Sequence, residues 1–464
     1  MTSLSRQLAR WVVGLRYDDL PPAVIDRVKG VTLQCLASIL IGALTKPGKE
    51  AVELILEEEA GARNGATLLV DGRSVTRSGA AFANSEMAFA GGKWDTYKML
   101  MHPGTSVIPA ALAAAEGRNV AGRDFVTAVA AAYEVMERLA SDVIPTLMAR
   151  GFHASPVFGI FGAAIAAAKI GSLDEEQMNS TIALCASMAG GNLEGARSGG
   201  RALREGAAVR NALFAVALAR KGHVGGETVL EGEAGFYHAY VGNNRGELTY
   251  SFEGKRHADL TEVVAGLGTR WTMLETLYRI YSISGYNIAH VEVVAALCRE
   301  HDIRPADIER IEAVVNWLET QYPSPAFPSR REDTNRKPGS TAYHLAYAAV
   351  KRGYPMLGDW APQSARADDP PEIAELTARV SIIPSHTMGL MAPRITITTK
   401  NGHSVTRQSS GQEFIWDFEE QARRIRGIEA GLPITPAQFT ALIDACRTLE
   451  RQPAVDVLVA LTKR

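Results

Sequence analysis

The sequence predicts a mainly α protein: a helical domain to which both chain ends contribute, interrupted by an α+β segment. Three observations carry this. Helical periodicity rich in alanine and glycine runs through most of the first half. Short β-branched runs bounded by turn residues appear only beyond about residue 260. Helical periodicity then returns near the C-terminus. At 464 residues the chain is long for one core, so two domains are the default. The changes of period set the boundaries: 1–265 and 411–464 helical, 266–410 the α+β segment.

Taken in order, apolar residues recur at helical spacing over 4–15, and Pro21-Pro22 opens a helix reaching Ala43. A further helix covers 48–59. Asp71-Gly72, between 66–70 and 74–76, is a hairpin-turn signal. Helices follow over 79–90, 106–116, 122–142, 156–170, 174–189 and 206–221. Small residues at this density let helices approach closely, so a packed bundle with few aromatics is expected. Charges on every helix oppose a membrane bundle. Strands are expected at 311–317, 378–383, 394–398 and 404–407, the last two joined at Asn401-Gly402. Helices at 287–301 and 340–352 lie among them, and 435–449 and 455–462 close the chain. The basic, proline-rich loop 323–339 reads as an active-site border or, equally, as a flexible connection.

Composition excludes several function classes. A net charge of −2 leaves no electrostatic footprint for nucleic acid. Cys35, Cys185, Cys298 and Cys446 lie far apart, which fits a reducing cytoplasm better than a disulfide framework or a zinc site. Arg6, Arg10 and Arg16 interrupt the N-terminal pattern, so it does not read as a signal peptide. The longest apolar runs fall short of a membrane span or are rich in glycine and alanine. A cytoplasmic protein without nucleic-acid or membrane partners is the expectation.

The stretch 90–111 holds the first chemical signal. His102-Pro103-Gly104 leads into an alanine-rich helix, with Thr105 or Ser106 as its expected N-cap. The pattern recurs at 151–156, where Ser155 reads as N-cap and Pro156 as the first helical residue. A histidine beside a helix N-terminus sits where unpaired N–H groups and the helix dipole favour an anion. Two such turns point to a carboxylate-bearing ligand. The plain alternative is two surface capping loops. A third candidate wall is the run 195–206, whose Arg197, Arg201 and Arg204 precede another helix. Guanidinium forks bind carboxylates bidentately, although a solvated basic loop has the same composition. No metal motif, P-loop or G-x-S-x-G elbow is present, and the Gly-Gly pairs at 190–191 and 199–200 lack dinucleotide-fingerprint spacing.

These segments together resemble the MmgE/PrpD family, which includes 2-methylcitrate dehydratase and cis-aconitate decarboxylase. The likeness spans nearly the whole chain and is densest at A-A-F-A-N (80–84), H-P-G-T-S-V-I-P-A (102–110), 122–135, R-G-F-H-A-S-P-V-F-G-I-F-G-A-A (150–164) and 201–211. It implies a helical domain with an inserted α+β lid, a homodimer, and a lyase that acts on small polycarboxylates without metal or organic cofactor. The family's D-F-D-D-T segment corresponds to Gly92-Lys93-Trp94-Asp95-Thr96, so its leading aspartate is a glycine here while Asp95 and Thr96 match. His102 and the R-G-F-H histidine, His153, are both present. The family's K-x-L-H element is Arg201-Ala202-Leu203-Arg204, and its lid lysine corresponds to Arg279. The lid tyrosine falls near Tyr343-His344.

Each Lys→Arg exchange keeps anion binding but removes a group able to act as a base. The expected proton carriers are therefore His102 and His153, assisted by Asp95 and His344. Lys93, Thr96, Arg201, Arg204 and Arg279 are the expected substrate-binding residues. The leading expectation is a dehydratase on a hydroxylated di- or tricarboxylate. An epimerase or isomerase, a decarboxylase, and a paralogue that only binds a polycarboxylate are the alternatives.

Overall fold

Alanine-rich sequence becomes helix throughout the first half, and the chain is mainly α with a small sheet-containing unit. The computed structural model describes residues 2–59, 61–62, 64–194, 200–280, 285–331, 340–354 and 369–464, without the side chains of 200–204 and 330. The first elements are α1 (Leu4–Gly14), α2 (Pro22–Gly42), α3 (Lys46–Glu59), β1 (Ala66–Thr67), β2 (Ser74–Val75), α4 (Arg77–Ala90) and β3 (Asp95–Thr96). Then come α5 (Gly104–Ala115), α6 (Gly122–Ala140), α7 (Ile144–Ala149), α8 (Ala154–Ile170), α9 (Glu175–Met188), α10 (Gly200–Arg220), α11 (Phe236–Val241) and β4 (Leu277–Tyr278). They are followed by α12 (Asn287–Glu300), β5 (Ile308–Asn316), α13 (Thr341–Lys351), α14 (Pro371–Thr377), β6 (Val380–Ser385), β7 (Arg394–Thr399) and β8 (Ser404–Gln408). The chain ends with α15 (Phe418–Ile425), α16 (Pro436–Arg447) and α17 (Asp456–Thr462).

Two compact units result. One holds residues 1–249, 256–278 and 416–464, the other 250–255 and 279–415. The periodicity had put these divisions at 265/266 and 410/411. In the first unit α8 is central, packing against α5, α6, α9 and α10. Close approach is built into its sequence: a Cβ added at Gly159 would lie 2.5 Å from the Ser106 hydroxyl. No single helix among the described residues is long and apolar enough to cross a membrane. The expected hairpin at Asp71-Gly72 forms between β1 and β2, with Gly72 at φ +88° as its turn requires.

The second unit contains a four-stranded sheet of order β6-β5-β7-β8, parallel only between β5 and β6. Ile311, Ala313, Val315, Ile395 and Ile397 are buried, and α12 and α13 pack against this sheet. The period of two along β5 and β7 thus turns one face inward. Asn401-Gly402 makes the β7–β8 turn, with Gly402 at φ +84°.

Two N-cap expectations are corrected. The first N–H of α5 belongs to Gly104, with Pro103 as cap residue, so Thr105 and Ser106 lie inside the helix. Likewise His153 is the cap residue of α8, and Ser155 and Pro156 are already helical. At α5 the group that satisfies the helix start comes from elsewhere in the chain.

Candidate functional site

The start of α5 is capped by a side chain nine residues upstream. Asp95, in β3, accepts the Gly104 N–H at 3.0 Å from each carboxylate oxygen. Tyr133 of α6 donates its hydroxyl to Oδ2 at 2.6 Å. Burial first, and then the Asp95 charge, holds the Tyr133 phenol well above its usual range, so it remains a donor. Asp95 therefore places a carboxylate of the chain itself at this helix N-terminus. A carboxylate that accepts these bonds at the positive end of a helix is favoured in its ionised form. Its geometry is that of an organiser of the turn.

That turn fixes His102. Its ring Nδ1 lies 2.9 Å from the Asp95 backbone carbonyl. A carbonyl can only accept, so Nδ1 carries the proton and the neutral ring keeps its lone pair on Nε2. The Trp94 ring packs on the imidazole with centroids 4.4 Å apart, and Phe89 stacks on Trp94 at 4.5 Å. The Trp94 indole is itself anchored to the Phe89 carbonyl at 2.9 Å. The result is a buried histidine of defined tautomer and orientation.

His153 stands in the adjoining turn. The His102 backbone N–H donates to Ser155 Oγ at 3.1 Å, which ties the two histidine-bearing turns together. His153 donates its own backbone N–H to the Gly191 carbonyl at 3.0 Å. Its ring Nδ1 is 4.0 Å from Oε1 of Glu205, a fully buried carboxylate on α10. That separation is too long for a hydrogen bond and within ion-pair range.

β3 is held from the other side by β4, with Asp95 opposite Tyr278 and Thr96 opposite Leu277. Buried charges on α6 position the segment leading into β4. Glu134 pairs with Arg138 and accepts the Met273 N–H. Arg138 donates to the carbonyls of Ala265 and Arg270, each at 2.7 Å. Glu137 accepts the Thr276 hydroxyl at 2.6 Å, and burial holds its carboxyl well above the carboxylate range. Thr96 is fully buried, and its hydroxyl makes no hydrogen bond among the described residues.

The remaining candidates distribute as follows. Lys93 is buried just before β3; its backbone N–H donates to Ser38 Oγ and its carbonyl accepts from Gln34 Nε2. Arg201 and Arg204 belong to α10, but their side chains lie outside the described residues, as do Arg197 and loop residues 332–339. Arg279 and His344 are buried in the second unit, where His344 packs beside Tyr343 at 5.3 Å. The structure thus places Asp95, Thr96, His102 and His153 in one unit, with His102 bonded to Asp95 and to Ser155 of the His153 turn. Sequence reasoning missed Glu205, the capping role of Asp95 and the link through Ser155. A usable signal was present: Glu86 and Glu205 are solitary acids in alanine-rich helices, and both are buried.

Comparison with known proteins gives matches over the whole length. Residues 6–249 match the MmgE/PrpD N-terminal domain. The chain is 27% identical over 432 residues to a cis-aconitate decarboxylase of Aspergillus terreus, covering 87% of this chain and 84% of that one. It is 25% identical over 383 residues to the cis-aconitate decarboxylase-like protein oryM of Aspergillus oryzae, covering 79% and 77%. Against the cis-aconitate decarboxylase of Homo sapiens it is 25% identical over 495 residues, covering 100% and 95%.

Proposed function

The chain belongs to the MmgE/PrpD family, and from that premise we propose that it is a lyase acting on a small di- or tricarboxylate through two histidines. The observation that carries the reading is the contact of His102 Nδ1 with the Asp95 carbonyl, which leaves Nε2 as the basic nitrogen. In the dehydratase form, His102 Nε2 takes a proton α to a substrate carboxylate. The C–H electrons become the new double bond, the β C–O bond breaks, and His153 gives a proton to the departing oxygen, which leaves as water. Arg201 and Arg204 are assigned to the substrate carboxylates and to the enediolate charge that develops. Lys93 and Thr96 line the same substrate. The buried, unbonded Thr96 hydroxyl supports this assignment, since such a group costs about 1–3 kcal/mol unless a ligand completes it.

A second reading, decarboxylation of an unsaturated acid, is favoured by the names of the relatives. It needs an acid and an anion clamp, and leaves His102 without the task its tautomer fits. The proposal takes the working assembly to be a homodimer, on the family resemblance; light scattering at the 49.9 kDa of one chain would remove that part.

The test is incubation with a panel of hydroxylated and unsaturated polycarboxylates in D₂O, followed by NMR. Elimination supports the dehydratase and loss of carbon dioxide the decarboxylase. Deuterium exchange without either would make the protein an epimerase. Binding without exchange or product would sink the enzymatic reading.

A further inference from the structure

We propose that Glu205 is the positioning residue that holds His153 in its imidazolium form, so that His153 enters turnover as an acid. The inference rests on the lyase reading only for what the acid is used for. The pairing itself stands on geometry. Glu205 is 0% and His153 8% exposed, and the carboxylate oxygen lies 4.0 Å from Nδ1.

Backbone contacts fix both members. On α10, the next residue, Gly206, donates its N–H to Glu86 Oε1 of α4 at 2.6 Å, which clamps the helix at the Glu205 turn. On the other side, His153 donates to the Gly191 carbonyl at 3.0 Å, and Leu193 donates to the Gly151 carbonyl at 2.7 Å. These bonds hold the two backbone segments from which the Glu205 and His153 side chains extend.

Burial disfavours a lone imidazolium and a lone carboxylate alike, but side by side each offsets the other's cost. The neighbouring elements carry other charged groups. Glu86 accepts the Gly206 N–H, and Arg150, just after α7, donates to the Ala239 carbonyl at 3.2 Å. Glu134 and Glu137 of α6 are bonded to Arg138 and Thr276. Arg201 and Arg204 precede Glu205 on α10 and stay charged at any working pH. His102, across Ser155, faces a neutral carbonyl. Glu205 is the carboxylate that lies within ion-pair range of the His153 ring. An unassisted histidine, with a midpoint of about 6.5, is mostly neutral at pH 7.5. A paired one arrives protonated.

The experiment is an NMR titration of the His153 ring in the full chain, assigned with His153→Asn, for wild type, Glu205→Gln and Glu205→Asp. The wild-type midpoint is expected well above 6.5, falling by about one pH unit or more in Glu205→Gln. Glu205→Asp keeps the carboxylate and should stay nearer wild type. The alkaline limb of kcat/KM should move down with the midpoint in Glu205→Gln, which a purely structural role would not produce. A wild-type midpoint at or below 6.5, or an unchanged one in folded Glu205→Gln, overturns the pairing. If Glu205→Gln fails to fold, the wild-type midpoint and Glu205→Asp still decide. The titration needs no substrate. A raised midpoint in a protein that turns over no polycarboxylate keeps the pair and overturns the lyase, and turnover with an ordinary midpoint does the reverse.

Discussion

The turns before α5 and α8 each carry a buried histidine, yet their surroundings differ in one decisive respect. His102 Nδ1 meets a backbone carbonyl, whereas His153 Nδ1 meets a buried carboxylate. A carbonyl selects a tautomer without demanding charge; a carboxylate favours the cation. On our proposal, two copies of one residue type divide into a neutral base and a charged acid. The capping chemistry differs in parallel. At α5 the helix end is occupied by Asp95, while at α8 the Ser155 hydroxyl is spent on the neighbouring turn.

The largest expected effects come from removing either ring. His102→Asn and His153→Asn should each lower kcat by about 10²-fold or more, with folding intact by circular dichroism. The comparison sharpens in the pH profiles: His102→Asn should lose the acid-side limb and His153→Asn the alkaline one. If both variants lose the same limb, the two histidines do not divide the work.

Next in size is Tyr133→Phe. It takes a donor from a buried carboxylate and should cost about 1.5–3 kcal/mol in urea unfolding, the scale of a hydrogen bond to a charge. A loss below half a kcal/mol would mean that Asp95 does not depend on this bond. Thr96→Val tests the opposite kind of group. Its hydroxyl is unbonded in the fold, so stability should hold or improve by up to about 1 kcal/mol while KM rises several-fold. Lower stability with unchanged KM would make Thr96 structural. The smallest effect belongs to Ser155→Ala, which breaks the link between the two turns and should cost about 1 kcal/mol. No measurable change in unfolding would show the turns to be held independently.

Long helices were legible because their periodicity spans several turns; α7, α11, α14 and α15, of six to eight residues, were missed, whereas α17, of seven residues, was read from its apolar run. The caps of α5 and α8 were misplaced for a physical reason. Local rules look for a Ser or Thr at the helix start, but the group capping α5 comes from Asp95, nine residues upstream. His102 and His153 could be read as site candidates from their turns alone. Their different roles could not, because an Asp95 carbonyl and a Glu205 carboxylate reach them only through folding. The reading of 201–206 followed its arginines and passed over the buried acid beside them.

The account's central claim is that one histidine is a neutral base and the other a charged acid. It is tested most directly by long-range ¹H–¹⁵N spectra of the histidine rings in the wild-type chain near pH 7. The account predicts His102 neutral with its proton on Nδ1, and His153 protonated on both nitrogens. Finding the His102 proton on Nε2, or His153 neutral, would contradict it.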